Sequence, residues 1–276
     1  MRHAKTVIST LTTLFALGAP IAQAEYGKVP MNSIEPSVLR IEEDRFLGAK
    51  VDGAYGLVDA KGDEFNLASM YGVPVILVLS YYSCDGACAT TNKLLKEKLA
   101  AVTRLKAGKD YRVLTASFDK DDDVAKVRMF GEMTGIGGEL TPGWKAAVLK
   151  RKEDIKTLTD GVGFKFFWSK RDNVFTHTNV YIVLTPEGRV HRYLYASLAT
   201  GFDIEAAIAE ARFGKAGAAT PLRDLADLYT IACYSYNYKE GRYTLNYPLI
   251  IAGGSLASGF LLVGLSLFVY KRKARR

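Results

Sequence analysis

An unbroken apolar run that ends in a pair of cysteines restricts the fold more than any other part of this chain. Residues 73–79 are apolar throughout, which predicts a strand buried on both faces of a sheet. Cys84 and Cys88 follow, and leucine and valine at helical spacing then predict a helix over residues 91–105. Two thiols at a strand-to-helix junction favour redox chemistry or the binding of a soft metal ion.

The rest of the body alternates between strand and helix patterns. Strands are predicted at 111–118 and 144–149, helices at 124–133, 151–159 and 204–213, and hairpins at 46–58 and 180–195. This order predicts an α/β domain over residues 46–213, with a mixed sheet flanked by helices. A paired-thiol motif at the end of the first long strand fits a thioredoxin-like arrangement.

The first residues have the features of an export signal. Arg2 and Lys5 precede an apolar stretch, and Ala22-Gln23-Ala24 fits the small-x-small cleavage pattern. We therefore expect a signal peptide over residues 1–24 and an extended lead-in over 25–45, with an uncleaved anchor as the alternative. In an exported chain of this length, three cysteines are too few for a disulfide scaffold.

The other end predicts a membrane anchor. Residues 248–270 form an apolar segment without a charge, long enough to cross a hydrocarbon core of ~30 Å. The basic tail at 271–276 is expected on the cytoplasmic side, which places the body outside. Residues 214–247 are predicted to be a linker and a juxtamembrane segment. Its tyrosines suit an aromatic belt, or alternatively a loop without lipid contact; they are Tyr234, Tyr236, Tyr238, Tyr243 and Tyr247.

The net charge gives no indication of nucleic-acid binding. The chain carries 37 basic and 29 acidic residues, a net charge of +8. Two of the basic residues lie in the predicted signal and five in the tail, so the body is close to neutral. The excess charge serves membrane topology instead.

The thiol pair permits two kinds of chemistry. Cys84 and Cys88 are four residues apart, and a helix N-terminus between them would favour the thiolate. A thiolate serves in thiol–disulfide exchange or in chelation of a soft ion such as Cu(I). The alternative without chemistry is that the two cysteines are buried and only pack. His177 is either a third ligand or an ordinary polar residue. His191 is predicted to face solvent. Cys233 is a resolving thiol, a further ligand, a cross-link or a quiet cysteine near the membrane.

Three segments resemble the Sco/SenC family of copper-binding assembly proteins. They are Tyr81 to Cys88, Phe118-Asp119, and the block from Phe175 to Tyr195 that includes His177. The resemblance covers roughly residues 51–213. The tail from Ile231 to Tyr243, followed by the apolar segment, is similar to a bacterial branch with a C-terminal anchor.

The resemblance implies a thioredoxin-like fold with one copper ion, Cu(I) or Cu(II), held by Cys84, Cys88 and His177. It implies delivery of copper, or of reducing equivalents, to the dinuclear copper site of cytochrome c oxidase. The expected partners are the copper-binding oxidase subunit and a periplasmic copper donor or thiol reductant. The expected location is the bacterial inner membrane, with the body in the periplasm. Asp119 matches an acidic loop near the family's site and is carried over as a supporting or docking residue.

Two functions therefore stand side by side. One is a membrane-tethered copper metallochaperone, which is not an enzyme. The other is a thiol–disulfide reductase that keeps the copper-site cysteines of an oxidase subunit reduced, with Cys84 and Cys88 as its redox pair. A peroxide-reducing enzyme on the same fold lacks a local sequence signature, and the fold alone does not choose among these.

Overall fold

The computed structural model describes residues 39–84, 86–137, 141–170, 173–213, 233–238 and 240–274. The predicted signal peptide, most of the lead-in, residues 214–232 of the linker and the last two residues of the tail lie outside these ranges. The two cysteines of the motif, His177, Asp119 and Cys233 all lie within them.

The chain forms eleven strands, six α-helices and one short 3-10 helix among its described residues. The helices are α1 (Glu43–Phe46), α2 (Ala87–Ala100), α3 (Val124–Thr134), α4 (Asp154–Gly161), α5 (Gly201–Phe213) and α6 (Tyr247–Ala274), with the 3-10 helix at Leu67–Met70. The strands are β1 (Gly56–Asp59), β2 (Glu64–Asn66), β3 (Val75–Ser80), β4 (Arg112–Ser117), β5 (Trp144–Leu149), β6 (Phe166–Ser169), β7 (Val174–His177), β8 (Val180–Leu184), β9 (Val190–Tyr195), β10 (Tyr234–Asn237) and β11 (Arg242–Leu245).

Seven strands form one mixed sheet in the order β2-β1-β5-β4-β3-β8-β9. Strand β3 runs parallel to β4 and antiparallel to β8, and all six of its residues are buried. Helix α5 packs on β8 and β9, whereas α3 packs on β5. The predicted α/β fold with a mixed sheet flanked by helices is therefore confirmed.

Two predicted elements differ from the structure. The hairpin expected at 46–58 lies instead at β1–β2, because the Asp59 side chain accepts the N–H groups of Lys61 and Asp63 and Gly62 adopts a φ of +89°. Helix α2 begins at Ala87 and not at residue 91. Cys88 therefore lies in the first turn of this helix.

The tyrosine-rich segment before α6 folds onto the body. Tyr236 and Tyr243 lie on β10 and β11 and are 9% and 7% exposed. The Tyr236 hydroxyl donates to the Tyr193 carbonyl (2.8 Å), and the Tyr243 N–H donates to the buried carboxylate of Asp203 (2.7 Å). The prediction of an aromatic belt is therefore wrong for Tyr236 and Tyr243, because the hairpin pairs them with α5 and β9.

Arg192 on β9 is the centre of this packing. Its guanidinium lies 4.6, 5.4 and 6.0 Å from the ring centroids of Tyr236, Tyr238 and Tyr243. It donates to the Tyr238 hydroxyl (2.6 Å) and to Glu210 of α5 (2.9 Å). A largely buried cation that stacks on several rings and pairs with a carboxylate fastens the hairpin to the domain.

His191 does not face solvent as predicted. Its side chain is 22% exposed, and its Nε2 lies 3.3 Å from Glu210 Oε2, because α5 covers this part of β9. Burial raises the pKa of Glu210. The hydrogen bonds from His191 and Tyr243 and the charge of Arg192 outweigh that effect and hold the pKa of this carboxyl below its ordinary value.

Helix α6 follows the hairpin after a single residue. The N–H of that residue, Asn246, donates to the Cys233 carbonyl (2.8 Å) and closes the base of the hairpin. Residues Tyr247–Arg272 are long and apolar enough to cross a membrane, and the most apolar part of this helix is not buried against the body. A core helix of a water-soluble domain would be buried, so exposure and position favour an anchor.

Replacing Arg192 with Ala should destabilise the domain by about 3 kcal/mol, because Glu210 keeps its buried charge without the guanidinium that pairs with it and three rings lose the cation. Denaturant unfolding of the full chain in detergent micelles measures the free energy of unfolding. Arg45→Ala, on the exposed pair with Glu42, is the matched control and should change it by no more than ~0.5 kcal/mol. Equal losses in both variants would contradict the central role of Arg192.

Candidate metal and thiol site

The two cysteines meet where β3 passes into α2. Cys84 follows the end of β3 and is 9% exposed, whereas Cys88 is 1% exposed. The Cys88 N–H points at Cys84 Sγ, with 3.5 Å between nitrogen and sulfur. This N–H group and the positive dipole end of α2 are therefore directed at the Cys84 sulfur.

His177 comes to the pair from a distant part of the sequence. It ends β7, and its Nε2 lies 3.5 Å from Cys88 Sγ. Its Nδ1 lies 3.2 Å from the Thr178 carbonyl, which only accepts hydrogen bonds, so Nδ1 carries the proton and the Nε2 lone pair faces the sulfur. Burial lowers the pKa of His177, which favours the neutral ring that a metal ligand requires.

The β6–β7 hairpin fixes this histidine within an aromatic wall. Its register pairs Phe166 with His177, so both side chains lie on one face. The His177 ring lies 5.1, 5.7 and 6.2 Å, between centroids, from Phe118, Phe164 and Tyr81. This wall restricts water around the imidazole and limits its rotation.

The two thiols differ in acidity. The hydrogen bond from the Cys88 thiol is the largest effect on Cys84; with the Cys88 N–H and the Tyr81 hydroxyl it outweighs burial and lowers the pKa of Cys84 to about 5. The same sulfur–sulfur hydrogen bond, followed by burial, raises the pKa of Cys88 well above its ordinary value. The metal-free pair therefore holds one proton, with the thiolate on Cys84.

The distances fit a shared ion in part. With the zinc bond lengths of ~2.3 Å to sulfur and ~2.1 Å to nitrogen as a guide, two ligand atoms of one ion stand ~3.6–3.8 Å apart. The Cys88–His177 separation of 3.5 Å is close to this value. Within the described ranges, no three His, Cys, Asp or Glu side chains are already gathered around one point. Cys84 and His177 each have an atom 3.5 Å from Cys88, and an ion bound to all three residues would draw their side chains closer together.

Asp119 stands apart from this pair. Its carboxylate accepts the Asp121 N–H (3.0 Å), and within the described part of the chain no hydrogen bond joins it to a cysteine or to His177. A residue that the sequence did not single out is Asp122, which is fully buried and accepts the Tyr82 N–H (2.7 Å). The sequence shows only an acidic run after β4, and nothing in that run distinguishes the buried carboxylate from the exposed ones.

Cys233 lies at the base of the β10–β11 hairpin. It is a free thiol, as are both cysteines of the motif. Its backbone carbonyl holds Asn246, so its visible role is in closing the hairpin. No disulfide connects it to the pair.

The comparisons agree with this architecture. The family model described as SCO1/SenC matches residues 44–211. A proposed electron transfer protein of Aquifex aeolicus VF5 shares 34% identity at a TM-score of 0.56, covering 62% of this chain and 96% of its own. No curated protein matches the chain.

Two solved Sco proteins are more distant. BsSco, described as a member of the Sco family of cytochrome c oxidase assembly proteins, shares 17% identity at a TM-score of 0.50, covering 61% of this chain and 96% of its own. This likeness shows the fold alone. ScoI of Arabidopsis thaliana, solved with copper bound, shares 16% identity at a TM-score of 0.48, covering 60% of this chain and 99% of its own.

Iodoacetamide should modify Cys84 of the reduced, metal-free protein at least ~10-fold faster than Cys88 at pH 7, because the thiolate resides on Cys84 and Cys88 is more deeply buried. Peptide mass spectrometry of quenched time points separates the two sites. Cys88→Ala removes the donor to Cys84 and should slow modification of Cys84 at pH 6, whereas Cys233→Ser should leave the rate unchanged. Equal rates at both cysteines would contradict the shared-proton arrangement.

Proposed function

The chain belongs to the SCO1/SenC family, and from this premise we propose that it is a membrane-tethered copper chaperone that assists assembly of the copper site of cytochrome c oxidase. Copper is the cargo of such a protein. The residues that would hold it are Cys84, Cys88 and His177. Two sulfurs and one imidazole suit Cu(I) by their softness and also accept Cu(II).

The contact between Cys88 and His177 carries this proposal. A redox pair needs no imidazole, yet the Nε2 lone pair lies 3.5 Å from Cys88 Sγ within a largely apolar enclosure. The Nδ1 hydrogen bond to a backbone carbonyl is the support that metal-binding histidines commonly have. Cys84 is nearer to the surface than Cys88, so it is the first sulfur that an approaching ligand of a partner meets.

The ends of the chain support the location. An export signal over residues 1–24, α6 as a single span and the basic tail at 271–276 would together give a body in the periplasm and a tail in the cytoplasm of a bacterial inner membrane. The partners in this setting are the copper-binding subunit of the oxidase and a periplasmic copper donor or thiol reductant.

The purified full chain in detergent should bind about one equivalent of copper. Replacing His177 with Ala should weaken Cu(II) binding by more than the ~10–100-fold that changes outside a ligand set commonly cost. Competition with a chromophoric chelator measures the affinity. His191→Asn is the matched control, since His191 belongs to the Glu210 cluster, and it should leave affinity unchanged. Wild-type affinity in the His177 variant would refute the ligand assignment.

A thiol–disulfide reductase is the second candidate, and the unequal acidity of the two thiols favours it. The Cys84 thiolate would attack a partner disulfide and release one partner thiolate, which takes up a proton. Cys88 would then lose its proton, attack Cys84 in the mixed disulfide and release the second partner thiol. The Cys84–Cys88 pair is oxidised by two electrons, the partner is reduced by two, and a periplasmic thiol reductant must restore the pair.

Complementation of a strain that lacks the protein distinguishes the two candidates. The copper chaperone predicts that neither His177→Ala nor Cys84→Ser restores oxidase activity, because both remove a ligand. The reductase predicts rescue by His177→Ala alone, because the exchange reaction uses only the sulfurs. Membrane levels of each variant, compared by immunoblot, exclude loss of protein as the cause.

A further inference from the structure

The segment between β3 and α2 is held at both ends by buried polar side chains. Asp122 holds the residues before Cys84, and Asn92 holds the carbonyl of Cys88. Both side chains belong to residues that are fully buried. Neither is a ligand in the proposed copper site.

Asp122 reaches the segment from the loop that follows β4. Its Oδ2 accepts the Tyr82 N–H (2.7 Å) and the Ser117 hydroxyl (2.6 Å), and its Oδ1 accepts the Ser83 hydroxyl (3.3 Å). The Lys126 ammonium lies 3.4 Å from Oδ1. Two of the three hydrogen bonds therefore go to the two residues that directly precede Cys84.

Asn92 holds the other end. Its Nδ2 donates to the Cys88 carbonyl (2.9 Å) and to Ser80 Oγ (3.0 Å), and its Oδ1 accepts the Thr115 hydroxyl (2.7 Å). Ser80 ends β3 and Thr115 lies on β4. The first turn of α2 is thus tied to the two strands beneath it.

A buried carboxylate is a costly way to stabilise a core. Removing its charge from water carries a penalty that one partly exposed lysine offsets only in part. The carboxylate instead orients the segment before Cys84, because it holds the Tyr82 N–H and the Ser83 hydroxyl in place. Ligand and nucleophile groups need placement within ~0.5 Å, which such supporting hydrogen bonds supply.

We infer that Asp122, with Asn92 at the opposite end, is a positioning residue that sets the approach of Cys84 to Cys88 and His177. Its effect on metal affinity rests on the proposed copper function. Its effect on the order of the segment and on the reactivity of the thiols does not.

The test compares Asp122→Ala with Ser117→Ala in the full chain in detergent, reduced and free of metal. Ser117→Ala removes a buried hydroxyl that donates to the same carboxylate and leaves the donors at residues 82 and 83 in place. It therefore controls for a general loss of stability. Asp121→Asn, an exposed carboxylate beside it, is the surface control. Asp122→Asn keeps the side-chain shape and replaces Asp122→Ala if that variant does not fold.

Asp122→Ala should lower amide-exchange protection of residues 82–84 at least ~10-fold and weaken Cu(I) affinity ~10–100-fold, whereas Ser117→Ala should keep both within ~3-fold. The same changes, reduced in size, are expected of Asp122→Asn. Wild-type protection at residues 82–84, or Cu(I) affinity equal to that of Ser117→Ala, would overturn the inference.

A wild-type chain that binds no copper would refute the proposed function. The positioning role of Asp122 would then be tested by the reactivity of the two thiols alone. The ratio of Cys84 to Cys88 alkylation rates should then fall at least ~10-fold in Asp122→Ala and hold in Ser117→Ala. An unchanged ratio in Asp122→Ala would reject the positioning role.

Discussion

The pairing of the buried strand β3 with β4 and β8 is the constraint on which the site depends. Its register aligns Ser80 with Ser117 at the carboxyl end of two parallel strands. Because β8 runs antiparallel to β3, the amino end of β8 reaches the same edge of the sheet. The segment with the cysteines, the loop of Asp122 and the approach of His177 are thereby brought to one place.

Metal binding and thiol exchange draw on the same physical property of this edge. The helix N-terminus and the Cys88 thiol stabilise a thiolate on Cys84, and a thiolate is both a soft ligand and a nucleophile. The neutral imidazole of His177 adds what exchange chemistry does not require. The histidine therefore distinguishes the two proposed functions.

The β10–β11 hairpin makes the long apolar helix α6 continuous with the folded body. Arg192 ties β10 and β11 to β9 and α5, and Asn246 alone separates the hairpin from α6. At this junction α6 follows a packed element. Of the tyrosines that precede the apolar segment, Tyr236 and Tyr243 are buried in this packing, whereas Tyr238 and Tyr247 are exposed.

The sequence by itself determined the buried strand, the cysteine pair at its end, the α/β class and the apolar C-terminal helix, because each is a local pattern of apolar spacing or length. The family resemblance pointed to His177, but only the tertiary structure brings its ring against Cys88, a contact across 89 positions. It also shows which carboxylate of the acidic run is buried against the residues before Cys84, namely Asp122. The physical reason is that the burial and pairing of a polar side chain depend on which distant strands and helices cover it, and no local spacing records that.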